Sequence, residues 1–126
     1  MTKPTIALFT GDPAGIGPEL VARLLADGSV AKRANVLLVG SREVLEDGMR
    51  VARCRFDFVE GPGDAGGRDL ERPVLVSSPL VEEGGFARGV VSARSGRHML
   101  DGLAHGIALC SGGHAQALCF APLNKG

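Results

Sequence analysis

Nine residues, "GDPAGIGPE" at positions 11–19, hold three glycines and two prolines between an apolar run, "TIALFT" (5–10), and the helical pattern "PELVARLLAD" (18–27). Gly11 and Gly15 admit backbone angles closed to other residues and leave room beside the chain. Gly17 suits a helix N-cap and Pro18 the first helical position, where a missing N–H costs nothing. Asp12 carries the only charge of the turn itself. Peptide N–H groups at a helix N-terminus attract anions, so the chemistry within reach is the holding of a phosphate or a ribose. The spacing is neither G-x-G-x-x-G nor a P-loop ending in G-K-[S/T]. The same residues also read as a tight strand–helix turn with no ligand.

A second candidate lies at the other end of the chain, where Asn124 and Lys125 follow the apolar run 115–121. Lys125 would attract a phosphate or carboxylate and Asn124 would hydrogen-bond one; the alternative is a solvated lysine beside a capping asparagine. Three histidines invite a metal reading. His98 and His105 are seven apart with Asp101 between them, so all three share one helix face. Leu100, Leu103, Ala104 and Ile107 form a stripe opposite, so His98, Asp101 and His105 are expected to face solvent. His114, in "SGGHAQ", caps the helix or faces solvent. Arg94 and Arg97 offer an anion or partner contact but ordinarily sit in water. Glu82 and Glu83 have no second acid–base group at a useful spacing and read as surface. No catalytic or metal-ligating residue is assigned to this chain.

Positioning these groups takes a scaffold, and 126 residues suffice for one domain. The hydrophobic content of 44% excludes disorder. Fourteen basic and fourteen acidic side chains cancel without clustering, which argues against nucleic acid or an anionic membrane as partner. Cys54, Cys110 and Cys119, an odd number at unrelated spacings, read as reduced thiols, and Cys110 and Cys119 fall in apolar runs where a buried, inert thiol is expected. No run is long enough for a signal peptide or membrane span, so a soluble, cytoplasmic protein is expected.

Alternation organises the rest. Strands are expected at 5–10, 34–40, 56–59, 73–78 and 115–121. Helices are expected at 18–27, with Leu20, Val21, Leu24 and Leu25 inward; after an N-cap at Ser41, with Val44, Leu45 and Val51 inward and Gly48 as a weak point; and from a cap at Ser92 to about 111. Glycine-rich loops separate the third and fourth strands and precede the last helix. Strands alternating with helices imply an α/β fold with a mostly parallel sheet flanked by helices. Ligands of such sheets bind at the carboxyl ends of the strands, where "GDPAGIGPE" and Asn124–Lys125 both lie.

"TGDPAGIGPEL", "VLLVGSREVLE" and "VVSARSGRHMLDGLAHGIALCSGGHAQALCFAPLNKG" resemble, in order, three stretches of the 4-hydroxythreonine-4-phosphate dehydrogenase family of vitamin B6 biosynthesis. A shorter loop, G-D-G-I-G-P-E, marks isocitrate and isopropylmalate dehydrogenases of the same broader fold; Pro13 and Ala14 favour the first family. The resemblance implies NAD-dependent oxidation of 4-phosphooxy-threonine or a related phosphorylated hydroxy acid, then decarboxylation. It also implies a divalent metal (zinc, magnesium or cobalt) polarising the oxidised carbon's oxygen. Family members are much longer, and their metal-binding histidines and main substrate residues lie beyond "APLNK". Residues 1–126 therefore read as an incomplete amino-terminal segment, inactive alone. Gly11, Asp12, Gly15, Gly17, Asn124 and Lys125 are its cofactor- or substrate-binding candidates, and the metal is not ligated by this chain.

Five buried strands present two apolar faces, and only three helices are foreseen to cover them. Bare apolar surface drives association, so a homodimer, or association with a missing carboxyl-terminal part, is expected. The alternative reading is a non-catalytic α/β module that binds a nucleotide or a partner.

Overall fold

A computed structural model of the chain describes residues 3–11, 15–61, 70–76 and 93–121. The apolar run after Pro4 forms strand β1 (Thr5–Phe9), and the glycine turn leads into helix α1 (Gly17–Leu25). A short helix α2 (Ser29–Arg33), not foreseen, follows the left-handed Gly28, with Asp27 accepting from the Ser29 N–H at 2.9 Å. Strand β2 (Asn35–Val39) is buried throughout. Helix α3 (Arg42–Ala52) is capped by Ser41, whose Oγ accepts from the Val44 N–H at 3.2 Å, as expected.

The expected third strand moves three residues on, to β3 (Val59–Gly61), because Phe56 and Phe58 turn their rings into the apolar layer under α1 and α3. Strand β4 (Val74–Val76), helix α4 (Ala93–Ser111) and strand β5 (Ala117–Phe120) complete the order. Ser92, Glu82 and Glu83 lie outside the described residues.

All neighbouring strands are parallel, in the order β3-β4-β2-β1-β5. One face of the sheet packs Ala7, Phe9, Leu37, Val39, Val74 and Val76 with Leu109 of α4. The opposite face packs Leu8, Val36, Leu38 and Leu75 against Val21 and Leu25 of α1 and Leu45 of α3. At the amino-terminal ends of the strands, buried Asn35 acts as a polar clamp. Its Oδ1 accepts from the Leu70 N–H at 2.6 Å, and its Nδ2 donates to Thr5 Oγ1 at 3.3 Å.

Helices α1 and α3, which share one face of the sheet, sit differently from their apolar stripes. In α1, Pro18, Val21, Ala22 and Leu25 are buried, whereas Leu20 and Leu24, expected inside, are exposed. In α3, Met49 and Ala52 are buried while Val51 is half-buried. The cause is close approach of α1 and α3: small residues and one methionine, Ala22, Met49 and Ala52, form the seam between them.

Helix α4 is rotated further. Gly102 and Gly106 face the sheet with Leu109, and Met99, Leu103 and Cys110 are half-buried beside them. Leu100 is 70% exposed, Ile107 is 56% exposed, and Ala104 is also exposed. A Cβ on Gly102 would lie 2.7 Å from Cδ1 of Phe9, and one on Gly106 would lie 2.6 Å from a methyl of Leu118. The sheet's large side chains fill the two hollows the glycines leave. This turns His105 from the expected solvent face to a half-buried flank. Cys119, expected buried, is exposed because β5 forms the edge of the sheet.

Candidate functional site

The carboxyl ends of β1 and β5 lie side by side. Phe9 pairs with Phe120, and the Ala121 N–H donates to the Phe9 carbonyl at 3.1 Å. From β1 the chain moves to β2 on one side, and β5 lies on the other, so this is where the strand order reverses. Open parallel sheets place their ligand crevice at such a point. The two stretches singled out in the sequence thus leave from adjacent strands.

Gly11 is buried with φ +82°, a left-handed conformation that other residues adopt at a cost, so it is the residue that bends the chain off β1. Gly15 is half-buried. The N-cap of α1 is Ile16, not Gly17 as expected, and no side-chain capping bond is found there among the described residues. Gly17 is needed for another reason: a Cβ there would overlap the Thr10 carbonyl oxygen and come within 3.1 Å of the Ala121 Cβ. The glycine brings the start of α1 down between the ends of β1 and β5. Asp12, Asn124 and Lys125 lie outside the described residues.

Thr10 was not singled out in the sequence. It is fully buried at the tip of β1, and its Oγ1 has no hydrogen-bond partner among the described residues. A hydroxyl placed one residue before a bending glycine at a strand's carboxyl end was the available signal. Its Oγ1 lies 3.1 Å from where a Cβ on Gly40, across on the β2 side, would stand.

Among the described residues no three His, Cys, Asp or Glu groups converge. His105 Nδ1 is buried without a hydrogen-bond partner among the described residues, and burial lowers its pKa from the ordinary 6.5. His114 is exposed, its N–H donating to the Leu109 carbonyl at 2.9 Å to close the end of α4. Asp101 is half-buried and Arg97 exposed; nothing is described of the His98 and Arg94 side chains. The described residues therefore do not fit the divalent metal that the resemblance implies. They offer a nicotinamide dinucleotide one feature that fits, the start of α1, whose peptide N–H groups no described side chain caps.

A groove of about 500 Å³ lies at the opposite ends of the strands, lined by Asp27, Lys32, Arg55, Asp57, Glu71 and Arg72 among others. Its three cations and three carboxylates are all exposed. It is remote from the turn after β1. No helix among the described residues is long and apolar enough to cross a membrane.

No protein-family model matches the chain. A Pasteurella multocida protein, named provisionally as a 4-hydroxythreonine-4-phosphate dehydrogenase, is 43% identical over 99% of this chain and 38% of its own length. The crystal structure of a 4-hydroxythreonine-4-phosphate dehydrogenase from Burkholderia phymatum superposes with a TM-score of 0.83 at 25% identity, covering 99% of this chain and 38% of that one. The corresponding Klebsiella pneumoniae enzyme gives a TM-score of 0.79 at 29% identity, again covering 99% of this chain and 38% of that one. By sequence and by fold, the chain is a relative of the 4-hydroxythreonine-4-phosphate dehydrogenases and spans a little over a third of their length.

Proposed function

We propose that this chain supplies one wall of the ligand crevice of an NAD-dependent dehydrogenase. The substrate is 4-phosphooxy-threonine or a related 4-phosphorylated hydroxy acid, and decarboxylation follows oxidation. The reading rests on one observation above others: the turn into α1 and the exit of β5 meet at the reversal point of the sheet, with Gly17 packed against Thr10 and Ala121. In this role Gly11 bends the chain, Gly15 leaves room beside it, Gly17 seats α1, and peptide N–H groups at the start of the helix hold a phosphate or ribose. Asp12, Asn124 and Lys125 are the further cofactor- or substrate-binding candidates, Lys125 to attract a phosphate or carboxylate and Asn124 to hydrogen-bond one. The nicotinamide, when bound, takes up the hydride.

No catalytic residue and no metal ligand is assigned to this chain, so the reaction needs groups supplied from outside it. The isolated chain is inactive on this reading. A chimera carries the test: residues 1–126 joined to the remaining part of the Pasteurella multocida relative, loaded with zinc or magnesium. NAD reduction with 4-phosphooxy-threonine by the chimera, and none by residues 1–126 alone, is the expected result. A folded chimera that reduces no NAD with any phosphorylated hydroxy acid sinks the reading.

A further inference from the structure

The groove at the amino-terminal ends of the strands lies outside the proposed crevice and is firmly framed. Lys3 ties two of its walls together: its Nζ donates to the Ala31 carbonyl of α2 and to the Leu70 carbonyl before β4, each at 2.8 Å. The Val59 N–H donates to the Pro73 carbonyl at 3.1 Å and joins the third wall, the segment entering β3. Phe56 of that segment turns into the apolar layer, and Arg55 and Asp57 on either side of it are exposed. Each wall thus brings one cation and one carboxylate to a space of about 500 Å³: Lys32 with Asp27, Arg55 with Asp57, and Arg72 with Glu71. Small-molecule sites commonly fall between about 300 and 1,000 Å³.

None of the six forms an ion pair among the described residues, whereas Arg23, Arg42 and Arg50, outside the groove, each hold a carboxylate. Asp27 is engaged locally: its carboxylate accepts from the Ser29 N–H at 2.9 Å, a bond that holds its pKa below the ordinary 3.8. Three cations and two carboxylates, Asp57 and Glu71, are left to meet a ligand. A polyanion alone would face the two carboxylates and a polyamine the three cations, and like charges brought together are costly. We propose that the groove binds a small zwitterion with two anionic groups and one ammonium, the pattern of an amino acid with a phosphorylated or carboxylate side chain. Lys32, Arg55 and Arg72 receive the anionic groups, which guanidinium forks suit, and Asp57 and Glu71 receive the ammonium. The proposal is independent of the dehydrogenase reading, whose crevice lies at the carboxyl ends of the strands.

Calorimetric titration of residues 1–126 with O-phosphoserine at low salt tests it. Two matched probes accompany it: 3-phosphoglycerate, with a hydroxyl in place of the ammonium, and phosphoethanolamine, which lacks the carboxylate. O-phosphoserine is expected to bind one-to-one, and each matched probe at least about threefold more weakly, the worth of one exposed ion pair. Arg55→Gln and Arg72→Gln should each weaken O-phosphoserine by about the same factor, with unchanged circular dichroism because both side chains are exposed. Asp57→Asn should weaken O-phosphoserine yet tighten 3-phosphoglycerate, since one carboxylate attracts an ammonium and repels an anion. A merely structural Asp57 would move both probes alike. No binding of O-phosphoserine at millimolar concentration, equal affinity for the three probes, or affinity indifferent to both arginine substitutions overturns the proposal; the last would place the ligand elsewhere. Binding that residues 1–126 show and the chimera with the Pasteurella multocida remainder lacks also overturns it, because the groove would then be covered in the assembled protein.

Discussion

Gly48 of α3 faces the backbone of Pro18 in α1 so closely that a Cβ on it would stand 2.9 Å from the Pro18 Cβ and overlap the Pro18 carbonyl. Pro18 belongs to the first turn of α1, which also presses Gly17 onto the end of β1. The contact that lets the two helices approach therefore also fixes the start of α1 at the crevice.

Gly48→Ala tests that relationship. Alanine is favoured over glycine inside a helix by about 1 kcal/mol, but overpacking against backbone costs about 1–3 kcal/mol. Because the obstruction is a carbonyl rather than a mobile side-chain tip, the clash should win. A net loss of up to about 2 kcal/mol is expected in urea unfolding. A gain would show that the helices separate freely and that the seam does not position α1.

Helix α4 offers an internally controlled pair. Gly102→Ala drives a methyl into the fully buried ring of Phe9 and should destabilise by about 1–3 kcal/mol. Gly96 lies in the same helix with nothing within 4 Å of its would-be Cβ, so Gly96→Ala should stabilise by up to about 1 kcal/mol. Equal effects from the two substitutions would mean that the Phe9 contact does not set the rotation of α4.

That rotation explains where sequence reasoning stopped. The strands were legible because runs such as Val36–Val39 have no other stable place than a buried sheet, and Ser41 announced α3 by its hydroxyl. The inward face of α4 was not legible. A hydrophobic stripe counts side chains, whereas here two residues without side chains receive Phe9 and Leu118 from the sheet. The same blindness affected α1, where Leu20 and Leu24 lost to Ala22 once α3 came close. Of the site, the bend at Gly11 was legible from glycine alone. The need for glycine at residue 17 was not, because it depends on Thr10 and Ala121, which only the fold brings there.

His105 predicts a pH dependence. Its Nδ1 is buried with no partner among the described residues, which favours the neutral ring, and burial holds its pKa below the ordinary 6.5. As pH falls below 6.5 the unfolded chain takes up this proton more readily than the folded one. The contribution of His105 to stability is thus complete above pH about 6.5 and declines as pH falls through the depressed folded value. Thermal melts between pH 8 and 5 should show a decline that is shallower in His105→Leu. Parallel pH profiles for the two proteins would rule out His105 as its source.

Thr10 gives the last prediction. Its hydroxyl is fully buried at the tip of β1, beside Gly40 and under the start of α1, and finds no partner among the described residues. A buried hydroxyl without a hydrogen bond carries a desolvation cost of about 1–3 kcal/mol that an apolar group of the same shape avoids. Valine has that shape and keeps the β-branch that suits a strand end. Thr10→Val should therefore leave the fold intact and raise the stability of residues 1–126 by about 1 kcal/mol, read from the urea midpoint at constant slope. A loss of similar size would mean that the hydroxyl is satisfied by ordered water at the mouth of the crevice. The tip of β1 would then be a wet, polar floor for a ligand rather than a dry seat for α1.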